Sequence, residues 1–176
     1  AYKRGWQRDS EDVAAFAAEN SRWLPDYALF MACKRYFGMK AWTEWPDDIR
    51  LRQDGAVEKY RTLLQEDVEF FVYLQYLFFR QWNRLRDYVH AQGIRIIGDL
   101  PIYVAMDSAD VWAETEFFRL DETLIPKAVS GVPPDYFSAD GQLWGNPLYD
   151  WERMREDGFG WWIRPVSYTH LTLPTS

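Results

Sequence analysis

Two stretches carry residue types that could do chemistry. In "GVPPDYFSADGQLWGNPLYDW", Gly131 to Trp151, the residues Asp135, Tyr136, Phe137, Gln142, Trp144, Asn146 and Tyr149 fall in a run punctuated by prolines and glycines. Flat aromatic faces beside carboxylate and carboxamide groups suit a sugar, whose C–H faces stack on rings while its rim hydroxyls seek hydrogen bonds. The same residues would also build a packed loop anchored by its aromatics, and composition alone leaves both readings open. In "GIRIIGDLPIYVAMDSADVW", Gly93 to Trp112, an apolar run ends on Asp99 and is followed by Pro101, Tyr103 and Asp107. Ile94, Ile96 and Ile97 read as the interior of a buried strand, with Asp99 at its C-terminal end. In parallel α/β folds those ends face the active site, which makes Asp99 a candidate ligand or catalyst. It could as well satisfy backbone N–H groups of the next turn or pair with an arginine.

The elements that must position these residues can be read from periodicity and caps. Asp9 or Ser10 is placed to cap a short helix through Ala18, with no obvious element before it. A second helix follows in "SRWLPDYALFMACKRYFG", with Ser21 as cap, Pro25 in the first turns, Leu24, Ala28, Met31 and Arg35 on one face, and Gly38 as the stop. "AWTEWPDDIRLRQDG" reads as a loop. The strongest helical signal runs from Ala56 to about Gln92, broken near Gln65-Glu66-Asp67, and it places Val68, Phe71, Leu74, Phe78, Trp82, Leu85 and Val89 on a continuous apolar stripe. Gly93 ends it. A long helix feeding an apolar strand is an α-then-β unit, and the predicted fold class is α/β. Asp107 or Ser108 caps the next helix. Asp121 to Tyr149 reads as irregular, a long loop of the kind that tends to be functional, and helical patterning resumes in "WERMREDGFGWWIR".

Composition excludes several function classes. Net charge is −7, and no Lys/Arg cluster is arranged to follow a phosphate backbone, so nucleic acid is not an expected partner. No apolar run approaches membrane-spanning length, and the single Cys33 suits a reducing, cytoplasmic setting. Two histidines leave little room for a histidine-based metal site or a Ser-His-Asp triad. Aromatic residues make up 18%, with ten tryptophans, enough either to fill a large core or to line a groove.

At this point the chain resembles a known family. "GDLPIYVAMDSADVW", "GVPPDYFSADGQLWGNPLYDW", "LFMACKRYFG" and "EFFVYLQYLFFRQWNRLRDYVHAQGI" are similar to signature segments of the 4-α-glucanotransferases (amylomaltases or disproportionating enzymes) of glycoside hydrolase family 77, over about Gly5 to Arg164. The resemblance implies part of a (β/α)8 barrel of the α-amylase clan. It implies transfer of a 1,4-α-glucan segment to the 4-hydroxyl of another glucan or of glucose, by retaining double displacement with an Asp nucleophile and a Glu acid/base. No metal or organic cofactor is implied, and the partner is a maltodextrin. An α-amylase-clan hydrolase and a non-catalytic glycan-binding piece are the rival readings. By resemblance Asp99 lies beside the donor-side subsites, and Asp135, Gln142 and Trp144 belong to a loop arching over the glucan, with Trp144 stacking and Asp135 and Gln142 meeting hydroxyls. Tyr103, Tyr136, Phe137 and Asn146 are further candidates for contact.

The family's nucleophile motif, of the Arg-Ile-Asp-His-Phe-Arg type, does not occur in these 176 residues. The chain is therefore expected to be an internal fragment, 1–164, that binds without turning substrate over and folds poorly by itself. The charge-poor segment 165–176, "PVSYTHLTLPTS", is expected to be adapter read-through.

Overall fold

The computed structural model describes residues 2–97 and 102–163. The chain divides into two compact units, residues 1–95 and 96–176.

The first unit is helical. It comprises α1 (Tyr2–Arg8), α2 (Ser10–Glu19), α3 (Leu24–Tyr36), a 3-10 turn at Trp42–Glu44, α4 (Asp47–Arg50), α5 (Ala56–Leu63) and α6 (Gln65–Ala91). Apolar residues of α3 drive its core: Leu24, Ala28, Leu29, Ala32 and Cys33 are buried together with Trp42, Trp45, Ile49 and Tyr60. The stops expected at Gly38 and Gly93 are both present. Each residue has positive φ, and the amide after it reaches back five residues, Met39 to the Lys34 carbonyl and Ile94 to the Val89 carbonyl, as a Schellman ending requires. Lys34, nearly buried, bends its ammonium onto the Met39 and Lys40 carbonyls at 3.1 and 2.8 Å and so seals the end of α3.

Several expectations need correction. α1 exists where no element was expected, because Trp6 and Tyr2 gain ring contacts with Tyr73 and Phe70 of α6. Asp9 occupies the N-cap of α2 as expected, but its carboxylate makes no capping bond and turns instead to Arg8, Arg80 and Tyr73. Ser21 lies before Trp23, which occupies the N-cap of α3. "AWTEWPDDIRLRQDG" holds a 3-10 turn and α4 rather than loop alone. The break between α5 and α6 falls at Leu64, one residue ahead of Gln65. The apolar stripe of α6 is not its packed face: Leu74, Phe78 and Leu85 are exposed, while Tyr73 and Tyr76 are buried against Val13, Trp6 and Phe16. The tyrosine flank wins because its hydroxyls find Asp9 and Asp12 at 3.0 and 3.3 Å, so ring burial there leaves no polar atom stranded.

Residues 94–97, where the first unit gives way to the second, are not a strand, and Ile94 and Ile97 are 58% and 93% exposed. A buried parallel strand exists only through hydrogen bonds to strands beside it, and among the described residues the only sheet is an antiparallel pair elsewhere. Asp99 lies outside the described residues, as does the tail 165–176. Ser108 caps α7 (Ala109–Ala113) as expected, its side chain accepting from the Val111 amide. A 3-10 turn at Thr115–Phe117 follows. The stretch read as irregular contains a hairpin of β1 (Val129–Val132) and β2 (Gln142–Pro147), paired Val129 to Pro147, Gly131 to Leu143 and Val132 to Gln142, with an irregularity between Val129 and Gly131. α8 (Trp151–Glu156) then starts on Asp150, whose carboxylate accepts from the Glu152 and Arg153 amides. The core of this unit is Val111, Trp112, Phe117, Phe118, Pro147, Tyr149, Met154 and Trp161.

Candidate functional site

The hairpin sets the site. Its exit is tied down by backbone bonds from Arg119 to the Leu148 carbonyl and from Asp150 to the Phe117 carbonyl, both 2.8 Å, which bring Phe118 beside Tyr149 as an isolated bridge. Tyr149 is 2% exposed and forms the hub of an aromatic cluster, with Phe118, Trp151, Trp161 and Trp162 at centroid distances of 5.1–5.4 Å. Burial first, then the nearby Asp110 and Tyr103, push its hydroxyl up to about 12, so the hub stays neutral across the physiological range.

From this hub a ladder of rings leads outward. Tyr103 lies parallel to Tyr149, 6.0 Å away with 7° between the planes. Tyr103 then meets Trp144 edge-on at 6.2 Å. The Trp144 indole Nε1 donates to Gln142 Oε1 at 2.9 Å, which is possible because residues two apart on a strand share a face. Trp144 is held on two sides and remains 46% exposed. A fixed, solvent-facing indole offers a stacking surface without paying further rotamer entropy on binding.

The hairpin tip presents a second aromatic pair. Tyr136 and Phe137 are 97% and 92% exposed and stand perpendicular to one another at 5.6 Å. Rings this exposed do not anchor the loop to a core. The tip is shaped instead by Asp135, whose Oδ1 accepts from the Phe137 and Ser138 amides at 2.9 and 2.8 Å while its own N–H donates to the Ser138 carbonyl. Ser138 Oγ closes the turn on the Gly141 carbonyl at 2.7 Å.

Seven of the eight residues expected at the site are among the described residues, all of them in this unit. Tyr103, Gln142 and Trp144 form one contiguous surface, Asp135, Tyr136 and Phe137 form the tip, and Asn146 sits at the hairpin base with its amide bonded to the Val104 carbonyl. Asp99 falls outside the described residues. Sequence reasoning missed Ser130, a 2% exposed polar residue inside β1, and the tryptophans behind Tyr149. The adjacent pair Trp161-Trp162 was the available signal. Among the described residues no group of three His, Cys, Asp or Glu could hold a metal ion, and no helix is long and apolar enough to cross a membrane.

Comparison with known proteins gives a consistent set of matches. The family model described as 4-alpha-glucanotransferase, glycoside hydrolase family 77, matches residues 1–172, past the change of composition at 165. The 4-alpha-glucanotransferase of Clostridium butyricum is 49% identical over 164 residues, covering 93% of this chain and 34% of that protein. That of Thermus thermophilus is 51% identical over 156 residues, 89% of this chain and 31% of the relative. Among solved structures, the amylomaltase from Streptococcus agalactiae in complex with acarbose superimposes with a TM-score of 0.84 at 44% identity, over 92% of this chain and 32% of that one. The chain spans about a third of the length of the relatives it matches.

Proposed function

The chain belongs to the 4-alpha-glucanotransferases of glycoside hydrolase family 77, with the fold of part of an amylomaltase barrel, and from that premise we propose that it supplies the glucan-binding wall of an enzyme that disproportionates maltodextrins. The observation that carries this reading is the pinned, half-exposed Trp144 beside the bare aromatic tip, in a chain 44% identical to an amylomaltase solved with acarbose.

On this reading a glucose ring stacks on Trp144, and the Gln142 amide nitrogen, left over once Oε1 has taken the indole, donates to a sugar hydroxyl. Asp135 keeps Oδ2 for a second hydroxyl after Oδ1 has built the turn. Tyr136 and Phe137 close over the chain, and Tyr103 borders the platform. Asp99, by resemblance, shapes a donor-side subsite. The reaction is the retaining transfer of a 1,4-α-glucan segment to a 4-hydroxyl. The residues of this chain bind and orient the donor for it. The nucleophile motif of the family is not among them. We read the enzyme as cytoplasmic, supported by a lone, buried, free Cys33, although relatives from plants such as Solanum tuberosum carry chloroplastic/amyloplastic names.

The test is a titration of the whole protein carrying this chain with acarbose, paired with product analysis on maltotriose. Glucose and longer maltodextrins are expected from the whole protein and neither from the 176-residue chain alone. Trp144→Ala is expected to weaken acarbose about tenfold or more, the scale of one lost base–aromatic or ring–aromatic stack. Unchanged affinity in that variant would remove the platform from the site.

A further inference from the structure

We propose that Asn146 is a positioning residue for the glucan platform: its carboxamide clamps the segment bearing Tyr103 onto the hairpin, and Tyr103 in turn sets Trp144. The proposal rests on the reading of Trp144 as a glucan-stacking surface.

Asn146 Nδ2 donates to the Val104 carbonyl at 3.0 Å, a partner 42 residues away in the chain. Its Oδ1 accepts from Ser130 Oγ at 3.3 Å, across the hairpin on β1. One side chain thus joins three pieces: β1, β2 and the stretch around Val104. The Ser130 hydroxyl is buried, at 2% residue exposure, so its bond to Asn146 cannot be exchanged for water at no cost. Asn146 itself is only half-buried.

The clamp acts one residue away from a ring in the ladder. Tyr103, the neighbour of Val104, lies parallel to the buried Tyr149 on one side and meets the Trp144 indole on the other. Without the clamp the Val104 carbonyl loses its bond to the hairpin, and Tyr103 is held less firmly in its place between the two rings. Trp144 would then be held by Gln142 alone. A direct role for Asn146 as a reader of sugar hydroxyls competes with this, because one N–H and one lone pair of its carboxamide remain. The two roles differ in how Asn146 and Trp144 couple.

A double-mutant cycle on the whole protein, with acarbose as the probe, separates them. Asn146→Ala is expected to weaken acarbose about tenfold, and Ser130→Ala to weaken it less, in the same direction. In a Trp144→Ala background, where no platform remains to be positioned, Asn146→Ala is expected to add less than about twofold. A fully multiplicative double mutant would overturn the proposal, because Asn146 would then touch the glucan itself. So would wild-type affinity in both Asn146→Ala and Ser130→Ala. If Asn146→Ala does not fold, the Ser130→Ala and Trp144→Ala cycle reads the same coupling. Failure of the underlying site reading shows differently: Trp144→Ala alone would leave acarbose binding intact.

Discussion

Trp144 and Gln142, two residues apart on β2, hold each other: the indole Nε1 donates to the Gln142 carboxamide oxygen at 2.9 Å while Tyr103 abuts the indole edge-on. An exposed tryptophan ordinarily samples several rotamers, so this bond decides which face of the ring is turned to solvent. Replacing Gln142 with methionine keeps the length of the side chain and removes the acceptor. Affinity for acarbose should fall about fivefold to tenfold, the worth of about one hydrogen bond to orientation. Gln142→Glu retains an acceptor and should keep the indole in place, which the tryptophan emission spectrum would report. Equal losses in both variants would mean that the amide nitrogen, not the indole, is what matters at position 142.

The hairpin depends on a close approach at Gly131. A Cβ there would stand 2.6 Å from the Gln142 carbonyl oxygen, a backbone atom that can move only with its strand. Gly131→Ala should therefore cost about 1–3 kcal/mol and shift β2, and with it Gln142 and Trp144. Both acarbose affinity and the thermal midpoint should drop in this variant. A midpoint unchanged from the parent protein would show that β1 and β2 can part without loss.

How much of this was legible in the sequence differs from residue to residue. Gly38, Gly93 and Ser108 announced helix ends through local chemistry, and local chemistry is what placed them. The hairpin was not legible: β1 and β2 contain glycine, proline, asparagine and glutamine, show no alternation of apolar and polar residues, and are joined by a long tip in place of a two-residue turn. On α6 the periodicity correctly identified an apolar stripe but could not say which flank meets a neighbour. Tyr73 and Tyr76 are the packed residues because α1 and α2 bring Asp9 and Asp12 to their hydroxyls. The same division holds at the site. Residue types pointed to sugar recognition, whereas the bond from Asn146 to a carbonyl 42 residues earlier belongs to tertiary structure alone.

Asp9 links α1 and α2 to α6 and makes the first unit sensitive to acid. Its carboxylate takes two bonds from Arg8 at 2.8 and 2.9 Å, one from the Tyr73 hydroxyl at 3.0 Å and one from Arg80 at 3.2 Å. The Arg8 bonds above all, helped by Tyr73 and Arg80 against the opposing effect of desolvation, hold its pKa well below the usual carboxylate range. The sign follows from a folded pKa below the unfolded one: the stabilisation is complete above the ordinary aspartate pKa of about 3.9 and is lost as pH falls below it toward the folded value. Asp9→Asn should lower the thermal midpoint of the helical signal by several degrees at neutral pH. That gap should narrow as pH drops below about 4, and a gap that stays constant with pH would refute the linkage.

At the hairpin tip Asp135 has two separable duties, and two substitutions distinguish them. Its Oδ1 accepts from the Phe137 and Ser138 amides, which bends the chain so that Tyr136 and Phe137 stand out into solvent. Asparagine can supply the same acceptor and build the same turn, but it puts an NH2 group or a neutral oxygen where the second carboxylate oxygen was. Alanine removes both functions. If Oδ2 meets a sugar hydroxyl, Asp135→Asn should keep the protease resistance of the tip yet weaken acarbose by about threefold to tenfold, since a bond to a charged acceptor is worth more than one to a neutral group. Asp135→Ala should lose affinity further and expose residues 135–141 to cleavage, because the turn loses the two amide bonds that define it. Wild-type affinity in Asp135→Asn, with a loss only in Asp135→Ala, would assign Asp135 to the turn alone and leave hydroxyl recognition at this end of the hairpin to Gln142.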